Sequence, residues 1–100
     1  MLTSERILNK IEQNSESIKK YGAERVGLFG SYIKNKQTDK SDIDIVVEFE
    51  RGRKTFDNYM GLKFFLEDLL GYKVDLVIAE AIKPGLKSYI LNDVKYAEGV

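Results

Sequence analysis

Apolar residues recur at helical spacing in the first segment, where Ile7, Leu8, Ile11 and Ile18 predict a helix from about Thr3 to Tyr21. Thr3 or Ser4 is a suitable N-cap, Glu5 sits in the first turn where a carboxylate suits the helix dipole, and Gly22 stops the element. Arg25 to Phe29 is a short run of β-formers, followed at once by Gly30-Ser31. The polar stretch from Tyr32 to Lys40 leaves room for one or two helical turns. Ile43 to Phe49 carries the strongest alternation, with Ile43, Ile45, Val47 and Phe49 on one face and Asp42, Asp44, Val46 and Glu48 on the other.

Beyond a turn at Arg51-Gly52-Arg53-Lys54, a second long helix is predicted over Phe56–Leu70. Tyr59, Leu62, Phe65, Leu66 and Leu69 form its apolar stripe and Gly71 its stop. Val74 to Ala79 reads as a strand pointing Val74, Leu76 and Ile78 one way and Asp75 and Val77 the other. Pro84 opens a short helix to about Leu91, and a weak strand follows near Val94 to Ala97. Strands alternating with helices predict an α/β (α+β) fold: a small mixed β-sheet with flanking helices, in two or three layers. No repeat or linker interrupts the pattern, so residues 1–100 are expected to form a single domain.

Composition narrows the chemistry. The 43% hydrophobic and 32% charged residues exclude a disordered chain. Sixteen basic residues balance sixteen acidic ones, which argues against general nucleic-acid binding driven by counterion release. The chain has no cysteine and no histidine. Disulfide scaffolds, thiol nucleophiles, Cys/His zinc sites and Ser-His arrangements are therefore excluded. Catalysis here has to use carboxylates, lysines, hydroxyls or a hard metal ion. The polar start, Met1-Leu2-Thr3-Ser4-Glu5-Arg6, lacks the apolar core of a signal peptide, and no apolar run is long enough to span a membrane. A cytoplasmic location is the expectation.

Asp42 and Asp44 lie two apart on a predicted strand, so both side chains project to one face with Cα atoms ~6.5–7 Å apart. Asp75 lies on another predicted strand, and if the two strands are neighbours the three acids converge. Aspartate is disfavoured within strands and like charges repel, so three on one face call for a cation. Oxygen ligands without histidine point to magnesium or manganese. Two such ions ~3.5–4 Å apart are the usual device for in-line phosphoryl or nucleotidyl transfer. An Asp-x-Asp in a strand is equally readable as a pair of solvated acids. The segment before it changes that balance. Gly30-Ser31 follows a strand and is expected to open a helix, where free backbone N–H groups and the helix dipole favour phosphate and Gly30 allows close approach, and Asp42 comes twelve positions later.

Leu28-Phe29-Gly30-Ser31, a polar spacer, then Ser41-Asp42-Ile43-Asp44-Ile45-Val46-Val47 resembles the signature of the nucleotidyltransferase superfamily. The likeness extends over nearly the whole chain and is strongest to the minimal nucleotidyltransferases, MNT proteins, often the antitoxin half of a pair with a helical HEPN ribonuclease toxin. The resemblance implies a polymerase beta-like nucleotidyltransferase fold. It implies that Gly30 and Ser31 bind the triphosphate of ATP and that Asp42, Asp44 and Asp75 hold two magnesium ions, with manganese as the alternative. Asp75 would also draw the proton from the attacking hydroxyl. The implied reaction moves AMP from ATP onto a tyrosine of the HEPN toxin. Where relatives commonly have a small residue and then glycine, this chain has Ile33 and Asn35, and Asn tolerates the left-handed conformation glycine would supply.

Lys34, Lys36 and Lys40 stand near the expected phosphates, though loop lysines are by default a solvated face. Tyr32 is readable either as a base-stacking ring or as a packed one. A cleft made by one small sheet is shallow, so a second wall is expected from a partner protein or from another copy of the chain in a homo-oligomer. Two other classes stay open beside protein adenylylation: a non-catalytic antitoxin or regulator that binds ATP or its partner, and nucleotidyl transfer to a small molecule or RNA.

Overall fold

The computed structural model describes residues 2–38 and 40–100. The chain forms α1 (Ser4–Gln13), α2 (Ser15–Lys19), β1 (Ala23–Phe29), β2 (Ile43–Phe49), α3 (Phe56–Leu70), β3 (Val74–Ile78), α4 (Pro84–Leu91) and β4 (Lys95–Tyr96). The four strands make one mixed sheet in the order β3-β2-β1-β4. β1 runs antiparallel to β2 and β4, while β3 runs parallel to β2, with α3 as the crossover a parallel pair requires. This is the mixed α/β arrangement expected from the alternation of elements.

One face of the sheet carries the larger core. Ile7, Ile11 and Ile18 from the first helices and Leu62, Leu66 and Leu70 from α3 pack on Val26, Leu28, Ile43, Ile45 and Val47. Each fully buried aliphatic side chain contributes about 1.5–3 kcal/mol. The opposite face is covered too. Val46 is fully buried there with Ala79 and Ile82, against Phe29, Val77, Ile90 and Leu91. Alternation alone assigns Val46 to the polar face of β2; α4 and the chain leading to it convert that face into a second, smaller core.

The single helix expected over Thr3–Tyr21 is two helices. Asn14 leaves helical geometry at φ −115°, ψ 22°, and its side-chain amide donates to the Lys10 carbonyl at 2.8 Å. A carbonyl left by the break is thereby satisfied. Ile11 and Ile18 are both buried across it, which is why the apolar period runs on unbroken. β1 starts at Ala23 rather than Arg25, because the register shifts between Ala23 and Arg25 and leaves Glu24 unpaired in a bulge. No α-helix occupies the described part of 32–40; a three-residue 3₁₀ helix, Gly30–Tyr32, ends at its first residue, and turns carry the chain to Asn35. Position 39, inside that expected helical stretch, and Met1 lie outside the described residues.

α3 begins on Thr55, whose hydroxyl accepts from the Asn58 N–H at 3.1 Å, and ends on Gly71 at φ 75°. The same helix closes the free edge of the sheet. The Lys73 carbonyl accepts from Ile43 N–H, so Val74 and Leu76 turn their backbone groups away from β2. Val74 N–H donates to Glu67 Oε2 at 3.0 Å, and the Tyr59 hydroxyl donates to the Leu76 carbonyl at 2.6 Å. Two groups that would template an extra strand are thus occupied from α3.

Candidate active site

Strand pairing places the acids. Asp44, second residue of β2, is the register partner of Phe29 on β1 and of Asp75 on β3. Phe29, Asp44 and Asp75 therefore form one row across three strands. Asp42 stands exposed just before β2, two residues upstream of Asp44. Because side chains alternate along a strand, Asp42 and Asp44 share a side, and the parallel register brings Asp75 to the same side.

Asp44 is the centre of this group. Its carboxyl is pushed from the usual 3.8 up to about 6, first by partial burial and then by the negative charges of Asp75 and Asp42. Ser31 N–H donates to Asp44 and pulls the other way, while a protonated Asp44 donates to Asp75. The three acids singled out in the sequence thus converge electrostatically on one side chain. Among the described residues, no three carboxylates are drawn tightly enough to hold an ion as they stand. The donor set is nonetheless oxygen alone, with concentrated negative charge, which fits a hard divalent cation.

Gly30 follows the row at φ +78°, a left-handed conformation, and a Cβ at this position would overlap the Asp44 carboxylate. Only glycine meets both conditions. The expected helix after it is only the three-residue 3₁₀ segment, so a strong helix dipole is not what this turn offers. Its contribution is close backbone approach, with Ser31 N–H aimed at Asp44. Lys34 N–H donates to the Gly30 carbonyl at 3.1 Å and Lys36 N–H to that of Ser31 at 2.9 Å, closing the turn. Asn35 takes φ 56°, the left-handed geometry anticipated for it. Tyr32 is 1% exposed within the larger core, so its ring is a packing element and not a platform for a base.

Sequence reasoning missed the neighbours that α4 supplies. Tyr89 and Ile90 stand across from Phe29, Gly30 and Lys34 around a small cavity, although nothing in their spacing ties them to the Gly30 turn. A larger cavity of about 420 Å³ lies elsewhere, between the start of α3 and the end of β3, and none of the three acids lines it.

Residues 5–97 match the nucleotidyltransferase domain, and the chain belongs to that family as a nucleotidyltransferase. A Methanocaldococcus jannaschii protein assigned as a protein adenylyltransferase is 43% identical over 98 residues, covering 96% of this chain and 99% of its own. The protein adenylyltransferase MntA of Thermococcus cleftensis is 34% identical over 97 residues, covering 96% and 97%. Among solved structures, a minimal nucleotidyltransferase superposes with a TM-score of 0.73 at 34% identity, covering 88% of this chain and 93% of the other. The chain is accordingly placed with the minimal nucleotidyltransferases. A toxin–antitoxin complex solved with AMP-PNP also superposes, with a TM-score of 0.70 at 26% identity, over 93% of this chain and 73% of that one.

Proposed function

We propose that this nucleotidyltransferase moves AMP from ATP to a tyrosine hydroxyl of a HEPN-type toxin and thereby acts as the toxin's antitoxin. The observation that carries this reading is the row Asp75–Asp44–Phe29 ending at Gly30, which sets acids and a close backbone turn side by side. The likeness to protein adenylyltransferases and to a toxin–antitoxin complex holding AMP-PNP supports an adenine nucleotide and a protein acceptor; the tyrosine and the HEPN type follow from the sequence resemblance.

Asp42, Asp44 and Asp75 would hold magnesium, or manganese in its place; bound there, the cation neutralises phosphate charge and favours displacement at phosphorus. Gly30 and Ser31 would meet the triphosphate through their backbone. The acceptor oxygen bonds to the α-phosphorus, the bond from that phosphorus to the bridging oxygen breaks, pyrophosphate leaves, and the phenolic proton passes to Asp75. The hundred residues act as one nucleotidyltransferase domain in the cytoplasm, and the toxin supplies the second wall of the cleft.

The test is incubation with α-labelled ATP, magnesium and the HEPN-type partner, followed by gel separation and mass mapping. Label on a partner tyrosine is expected, with none when Asp44→Asn replaces the wild-type chain. ATP binding without incorporation would overturn transfer in favour of a binding antitoxin. Label on RNA or a small molecule would overturn the protein acceptor.

A further inference from the structure

α3 carries a second apolar face besides the one that builds the core. Leu62, Leu66 and Leu70 turn inward and are buried. Phe56, Met60 and Phe64, at i, i+4 and i+8, form a stripe on the side of the helix away from them. Phe56 is 76% exposed and Phe64 59%. Single exposed apolar side chains are ordinary, whereas three in line along one helix make a contact surface. Beside Phe56 opens the cavity of about 420 Å³, with Tyr59 and Ile78 also in its wall. The charges around the stripe decide what it fits. Asp57 stands three residues before Met60 and Lys63 three after it. Among the described residues the ion pairs are Arg25–Glu48 and Lys54–Glu80, so neither Asp57 nor Lys63 is in one. Further out, exposed Arg51 precedes the helix and exposed Asp68 lies near its end.

We propose that this face binds a second copy of the chain, α3 antiparallel to α3 about a two-fold axis at Met60. A two-fold contact has to be self-complementary, because the same patch is used on both sides. Turning the helix end for end about Met60 exchanges Phe56 with Phe64 and Asp57 with Lys63, and brings Arg51 near Asp68. Phenylalanine then meets phenylalanine, Met60 meets itself, and each level of the rim sets a carboxylate of one copy across from a cation of the other. A parallel pairing would set Asp57 on Asp57 and Lys63 on Lys63, where like charges repel. A different protein would not require a stripe symmetric about its own midpoint. Phe64 of the second copy arrives at Phe56, over the cavity, whose volume exceeds the ~150 Å³ that holds a benzene ring. The contact needs neither nucleotide nor toxin. α3 packs on the sheet face of Ile43, Ile45 and Val47, whereas Asp44 shares the opposite side with Val46, so both copies keep their acids clear of it.

Analytical ultracentrifugation of the isolated wild-type chain over about 1–100 µM tests the pairing. Two fifteen-residue helices bury too little for a tight dimer, so a dissociation constant in the micromolar range is expected. Phe64→Gln is expected to raise it by about a hundredfold and leave the chain monomeric. Its melting temperature at low concentration should match the wild type, because the ring is exposed in the single chain. Lys63→Glu sets like charges along the rim and should weaken the pair by about tenfold at low salt, with the loss shrinking at about 0.5 M salt. A wild type that stays monomeric throughout would overturn the proposal, as would a dimer that Phe64→Gln leaves intact. A dimer that Phe64→Gln dissociates but Lys63→Glu leaves unmoved at low salt would overturn the antiparallel arrangement. A monomeric wild type whose Phe64→Gln form no longer binds the HEPN-type toxin would assign the face to the toxin instead.

Discussion

Asp44 and Asp75 are direct register partners on parallel neighbouring strands, each one residue in from the start of its strand. Backbone pairing, rather than side-chain choice, brings the two carboxylates together. The cost of that proximity appears in Asp44, whose charged form is disfavoured by burial and by its two acidic neighbours.

That shift has a definite sign. Folding raises the Asp44 pKa from 3.8 to about 6, so the folded chain holds a proton that the unfolded chain releases in this window. The resulting stabilisation is complete below about pH 4 and is lost as pH rises through 6. Metal-free Asp44→Asn should therefore gain on the wild type as pH rises, by roughly 1 kcal/mol above pH 6 after allowance for its half-exposed position. Thermal melts from pH 4 to 8 check this, and a pH-independent difference between the proteins would contradict it.

The same substitution should lower AMP transfer by ~100-fold or more, as loss of a residue serving the charge of the transition state does. Magnesium should raise the melting temperature of the wild type and leave Asp44→Asn nearly unmoved, since a ligand stabilises only the form that binds it. Differential scanning fluorimetry with and without the ion measures the second effect.

Gly30→Ala places a methyl group against the Asp44 carboxylate and forces alanine into a left-handed conformation. A loss of about 1–2 kcal/mol is expected from the backbone alone, together with weaker ATP binding. Urea denaturation and calorimetry read the two. Gly52, equally left-handed at φ +80° but with open space around it, is the control: Gly52→Ala should destabilise without touching nucleotide affinity.

Tyr59→Phe removes the hydroxyl that donates to the Leu76 carbonyl. The expected loss is about 1 kcal/mol, with a normal fold and faster amide exchange along β3. Hydrogen-exchange mass spectrometry resolves that strand from the rest.

Much of the architecture is legible in the residues. β2 and α3 begin and end where alternation, the apolar stripe and the Gly71 stop place them, because each signal is local. The left-handed Asn35 is likewise foreseeable from what asparagine tolerates. Convergence of Asp75 with Asp42 and Asp44 depends instead on β3 pairing with β2 in parallel, a long-range fact carried by the α3 crossover. The break at Asn14 escapes a periodicity argument because buried Ile11 and Ile18 sit seven apart on either side of it. Tyr89 is the least legible residue of all. Its helix buries no side chain fully, so no apolar pattern announces that α4 leans over the Gly30 turn.

The cover that Tyr59 and Glu67 place over the β3 margin has a consequence for selectivity. An incoming extended chain would find the Val74 N–H and the Leu76 carbonyl already taken, so an acceptor of the transfer proposed above would gain little by adding a strand here. In that reading, discrimination would rest on contacts made elsewhere on the surface.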